Sequence, residues 1–171
     1  MDDKAHYFKS LSDIVWVINL KPELYTSSDS DIKKLLSSIH GTDLEIAVYL
    51  GAFCAMSLGE ICALESSDIN GNIITISKSL ALCEDGNYKI KSPKTLSSYR
   101  TVQSPDFVIQ RLSGIKGRIV NKKPYNVTKA LKRALKANGL PNFRFHDLRH
   151  PYVKPTTKKF ITFFEAFRAA I

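Results

Sequence analysis

Phe143-Arg144-Phe145-His146-Asp147-Leu148-Arg149-His150 is the stretch on which the reading of this chain turns. It follows Asn138-Gly139-Leu140-Pro141-Asn142, a run of turn-forming residues. A helix from Asp147 onward would set His146 and Arg149, three residues apart, on one face near its start. Unpaired backbone N–H groups at such a point favour an anion. An arginine can grip two oxygens of a phosphate while a histidine donates a hydrogen bond or a proton. The octapeptide therefore points to a phosphodiester.

The charge distribution points the same way. Of 171 residues, 25 are Lys or Arg and 16 are Asp or Glu, a net charge of +9. Residues 1–86 hold 6 basic against 13 acidic side chains, and residues 87–171 hold 19 against 3. The basic surface is thus concentrated in the half that contains His146 and Arg149, the footprint of nucleic-acid binding. A solvated basic face is the plainer alternative. Apolar content of 44% and charged content of 24% are ordinary for a globular chain long enough to bury a core. Cys54, Cys62 and Cys83 lack metal-ligand spacing, and the first two sit in apolar runs, so reduced buried thiols are expected and no metal or other cofactor. Met1-Asp2-Asp3 is acidic where a secretory leader would be basic. No apolar run reaches the roughly 18 residues of a membrane span. The expectation is a cytoplasmic protein with no membrane partner.

Working outward, residues 6–20 show a helical period through Phe8, Leu11, Ile14, Val15 and Ile18, ended near Pro22. Tyr25 to Asp29 offers helix caps ahead of Ile32, Leu35, Leu36 and Ile39, and Gly41 stops that helix. A strongly apolar helix is expected from Leu44 to Ser57, and Leu58-Gly59-Glu60 opens a short one ending near Leu64. Strands follow at residues 72–76, 88–91 and 99–102, with a turn at Glu84-Asp85-Gly86-Asn87. Helices resume at Asp106–Ser113 and at Asn126–Asn138, the latter carrying Lys129, Lys132, Arg133 and Lys136. The class is α+β, mainly α, with one small antiparallel sheet. Three segments are expected: residues 1–24 as a helix or linker remnant, 25–150 as the main domain, and 151–171 as a divergent tail.

The element order and three motifs resemble the catalytic domain of the tyrosine recombinases, or phage integrases, from about Tyr25 to His150. The motifs are Leu58-Gly59-Glu60-Ile61-Cys62-Ala63-Leu64 with Ser67-Asp68-Ile69, then Ser92-Pro93-Lys94-Thr95 with Tyr99-Arg100-Thr101, then Phe145 to His150. The resemblance implies metal-free cleavage and rejoining of double-stranded DNA. A tyrosine attacks the phosphodiester, arginines and histidines hold its oxygens, and a hairpin lysine protonates the leaving oxygen. It assigns the lysine to Lys94, the His-x-x-Arg pair to His146 and Arg149, and a second histidine to His150. Alone, Lys94 would read as an exposed loop lysine, His146 as a capping or core histidine, and Arg149 as a partner for a carboxylate, a reading weakened by the lack of nearby acids other than Asp147.

Two departures bear on activity. Ser57 stands where the family places its first arginine, and a hydroxyl cannot replace a bidentate cation. A chance or engineered change in an otherwise complete site is the alternative. The residues after Arg149 do not resemble the family's nucleophile segment, and Tyr152 reads as a packing residue. The tail places Phe160, Phe163, Phe164, Phe167 and Ile171 on one helical stripe, a core filler or a self-association surface. The expected function is DNA binding by an integrase-type domain of a mobile element, inactive in strand transfer by itself. Arg100, Lys122, Lys123, Lys129, Arg133 and Arg144 are the expected phosphate contacts. Two alternatives stand beside it: a recombinase completed by a tyrosine from elsewhere, and a protein-interaction module.

Overall fold

The computed structural model describes residues 29–92 and 99–149, with Asp29 and Arg149 described by their backbone. Its first two helices bury the largest share of the core. Helix α1 (Asp29–Ser38) sends Ile32, Leu35 and Leu36 inward, with Ile39 just past its end, the stripe its sequence spacing predicts. Helix α2 (Asp43–Phe53) is apolar on nearly every side and runs through the middle, where Ala47, Val48, Tyr49 and Leu50 are sealed from solvent. Thr42 caps α2 by accepting from the Glu45 N–H at 3.3 Å. Burial, with Glu45 beside it, pushes the Tyr49 hydroxyl up to about 12.

The sequence spacing carries this helix to Ser57, but it ends at Phe53. Ala55 lies in the left-handed region (φ 51°), and the Met56 N–H turns back to the Leu50 carbonyl at 3.2 Å. Glycine normally marks such an exit, and an alanine there hides it from the sequence. Helix α3 (Leu58–Ala63) then starts from Ser57.

Two antiparallel sheets replace the single expected one. Strands β1 (Ile69–Asn70), β2 (Ile73–Ile76) and β5 (Arg100–Gln103) form one, in the order β1-β2-β5, with Ile74 opposite Val102 and Ile76 opposite Arg100. Strands β3 (Ser79–Leu82) and β4 (Tyr88–Lys91) form a separate hairpin, with Leu80 opposite Ile90 and Leu82 opposite Tyr88. Ser79-Leu80-Ala81-Leu82 carries no β-branched residue, so pairing and packing on α3 make it a strand rather than propensity. Gly59 permits that packing: a Cβ there would lie 2.5 Å from Ser79 Oγ and 3.0 Å from the Leu80 carbonyl oxygen.

Helix α4 (Asp106–Leu112) packs on α2, and helix α5 (Pro124–Ala137) buries Val127, Leu131 and Leu135. Proline at the first position starts α5 two residues ahead of the expected Asn126. Gly139, at φ 61°, ends it with the Leu140 N–H bonded to the Leu135 carbonyl at 2.9 Å. The described residues end in a 3-10 turn, Phe145–Arg149, so the expected helix start at Asp147 falls inside 3-10 geometry that begins two residues earlier. Asp147 moves that start back: its carboxylate accepts the Arg144 N–H at 2.8 Å while its own N–H reaches the Arg144 carbonyl at 2.9 Å. One continuous set of buried side chains joins α1 to this turn. Cys54 and Cys62 are buried free thiols within it, both pushed up to about 11 by burial. Among the described residues no helix is long and apolar enough to cross a membrane. The helix expected at residues 6–20, Tyr152 and the Phe-rich tail lie outside them.

Candidate functional site

Ser57 is a helix cap. Its Oγ accepts the Glu60 N–H at 3.4 Å, and Glu60 Oε2 accepts the Ser57 N–H at 2.7 Å. This reciprocal capping box satisfies two orphan donors of α3. Its signature, Ser-x-x-Glu, is plain in Ser57 to Glu60.

The same Glu60 holds Arg100, which reaches across from β5. Arg100 Nη1 and Nη2 each donate to a carboxylate oxygen at 2.9 Å, and Nη2 also approaches the Ala55 carbonyl at 3.4 Å. Burial pushes the Glu60 carboxyl up, but the Arg100 bonds, the Ser57 N–H and the guanidinium charge hold it below the usual range. Arg100 thus ties β5 to α3. To serve as the expected phosphate contact, this guanidinium would have to share Glu60's charge.

The His146 segment is positioned from below by Phe143, Phe145 and Leu148, all buried. A Cβ on Gly51 would lie 2.9 Å from the Phe145 ring and 3.9 Å from Ile61 Cδ1. The Phe145–Arg149 turn and α3 therefore meet at the same bare stretch of α2, which brings two distant sequence motifs against one wall. His146 stands exposed on the turn. Arg144, whose side chain is 72% exposed, forks onto Asp147 through Nε at 3.3 Å and Nη2 at 3.1 Å. Burial raises the Asp147 carboxyl, but the Arg144 bonds and charge outweigh it and leave it below the usual range, with His146 adding to the effect. Arg144, an expected phosphate contact, thus shares its charge with the Asp147 carboxylate. Lys94 and His150 lie outside the described residues, as does the Arg149 side chain.

Helix α5 presents Lys129, Lys132, Arg133 and Lys136 to solvent, opposite its buried stripe. Lys122, ahead of it, lies 3.6 Å from Asp43. Lys123 stands 5.8 Å over the Tyr88 ring. Between the β3–β4 hairpin and the start of α5 opens a cleft of about 700 Å³, edged by Tyr88, Tyr125 and Arg118 with Lys122 and Lys123. The sequence reading has both lysines but neither tyrosine. Tyr88 alternates like any strand residue, and Tyr125 opens a helix, so nothing local sets them together.

No family model matches the chain. The tyrosine recombinase XerC-like protein of Caldanaerobacter subterraneus subsp. tengcongensis is 25% identical over 169 residues, covering 78% of this chain and 43% of its own length. The chain therefore spans less than half of that relative. The Tn1549 transposon integrase, solved in complex with transposon right end DNA, superposes with a TM-score of 0.63 at 17% identity, over 78% of this chain and 53% of its own. A lambda integrase dimer bound to a COC′ core site gives 0.56 at 19% identity, over 82% and 56%. XerA recombinase gives 0.59 at 17%, over 83% and 56%.

The fold is that of a tyrosine-recombinase catalytic domain, mainly α with small antiparallel sheets. The chain's sequence and structural relatives are named as tyrosine recombinases, recombinases and integrases, in keeping with the motif order.

Proposed function

We propose that this chain is a DNA-binding integrase-type domain of a mobile element that does not transfer strands by itself. The carrying observation is the Ser57–Glu60–Arg100 arrangement. The position where the resemblance puts a phosphate-holding cation is occupied by a hydroxyl that caps a helix, and Arg100, which reaches this stretch, is forked onto a carboxylate. Fixed cations stabilise the charge that develops at phosphorus, so their loss slows cleavage more than binding. Binding rests on the solvent-facing cations of α5 together with the His146 turn. The solved relatives bound to DNA support duplex DNA as the partner.

A second reading is a working recombinase that receives its nucleophilic tyrosine from elsewhere. One observation favours it: Arg100 reaches 3.4 Å from the Ala55 carbonyl, two residues from Ser57, so a guanidinium is close to the vacant role. A nicked suicide duplex tests the proposal. The proposal expects retention of the duplex that weakens steeply with salt, with no covalent adduct. A phosphotyrosyl adduct formed by this chain alone would overturn it.

A further inference from the structure

The cleft beside the β3–β4 hairpin has a composition that a smooth duplex backbone does not require. Its walls combine two aromatic rings with cations and with the amides of Asn121 and Asn126, and the residues lining it include no carboxylate. Tyr125 is 62% exposed, a large ring held in water at the rim. Leu82 is 59% exposed and pairs across the hairpin with Tyr88, so the opposite wall is also apolar. The volume of about 700 Å³ falls in the range of small-ligand sites, roughly 300–1,000 Å³.

Each component has a matching part in one nucleotide. An aromatic face stacks any base, because every base has a π-face. An amide can pair with a base edge through its donor and acceptor. Arg118 can neutralise a phosphate, Lys122 can add to it while sharing its charge with Asp43 at 3.6 Å, and Lys123 already lies against the Tyr88 ring. Lys129 follows Tyr125 by four residues on α5, so a strand leaving the cleft meets the next exposed cation one helical turn on. Bases within an intact duplex are stacked on each other and offer only their edges. The rings would have nothing to stack on there.

We propose that this cleft holds an unstacked nucleotide of a DNA strand, a base extruded from the duplex or lying in an unpaired stretch. The proposal rests on the DNA-binding reading above and names which part of the DNA enters which part of the protein.

The test compares two 30-mer duplexes of one sequence, fully paired or with a three-nucleotide bubble carrying 2-aminopurine, by anisotropy and by 2-aminopurine emission. The expected result is tighter binding of the bubble, by about fivefold or more, with quenching of the probe on binding. Tyr125→Ala should remove that preference and the quenching while leaving affinity for the paired duplex within about twofold, and Tyr125→Phe should retain both. Tyr88→Ala is the second variant, with circular dichroism confirming that each folds. Equal binding of the two duplexes by the unaltered chain would overturn the cleft and leave the proposed function standing. A preference that survives Tyr125→Ala and Tyr88→Ala together would also overturn it. Binding of a short single strand without binding of the paired duplex would overturn the duplex reading and keep the cleft. Binding of none of these DNAs would overturn both.

Discussion

Two basic regions of this molecule use their charge in opposite ways. At the α3–β5 junction Arg100 is matched by Glu60, both oxygens engaged, and the pair also holds the cap at Ser57. On α5 and in the adjoining cleft, cations face solvent in numbers that the few nearby carboxylates do not balance. A charge with a partly buried partner fixes the fold, because removing one member strands the other. A charge left to water does little for stability and much for attracting an anion. The comparison separates the side chains that make the domain from those offered to a ligand.

The largest effect should come from breaking the matched region. Glu60→Ala leaves Arg100 only 30% exposed and without its carboxylate, and removes half of the capping box. A loss of about 3 kcal/mol is expected, read from urea unfolding. Gly51→Val comes next. It drives a side chain into the Phe145 ring, with an expected cost of about 1–3 kcal/mol and weakened DNA binding through the displaced His146 turn. Unchanged affinity would detach that turn from the DNA surface.

The α5 face should give the reverse pattern. Lys129→Ala with Arg133→Ala should leave stability within about 0.5 kcal/mol of the parent. The salt dependence of DNA binding should become shallower, with a log–log slope reduced by about 2. Ser57→Ala removes a cap and should cost about 1 kcal/mol, with affinity for DNA untouched.

The smallest and most diagnostic effect is a pH dependence. Glu60 and Asp147 both titrate below their ordinary values, 4.5 and 3.8, in the folded chain. Their contribution to stability is full above those unfolded values and is lost as pH falls through the lower folded ones. The thermal unfolding temperature should therefore fall progressively from about pH 5 downward. Glu60→Gln should flatten part of that slope. A slope identical to the parent's would mean that Arg100 does not depend on this carboxylate.

What was legible in the sequence follows from local rules. The stripe Ile32, Leu35, Leu36 and Ile39, the proline start and glycine stop of α5, and the turn at Gly86 depend on neighbours within one turn or one hairpin. Ala55 broke the rule that glycine marks a helix exit, and Leu80 broke the rule that strands favour β-branched residues. For Leu80, long-range pairing and packing outweighed propensity. The candidate site divides in the same way: Ser57's cap was written in Ser57-Leu58-Gly59-Glu60, whereas Arg100's attachment to Glu60 spans forty residues of chain.

The order of motifs and the concentration of charge in the second half were enough, in the sequence alone, to point to a recombinase-type domain and an anionic partner. Only the tertiary structure decided which cations are free to meet that partner, and that Tyr88 and Tyr125 line one cleft with them. The physical reason is range. Periodicity and capping act over a few residues, whereas an ion pair or a cleft depends on where distant segments come to rest.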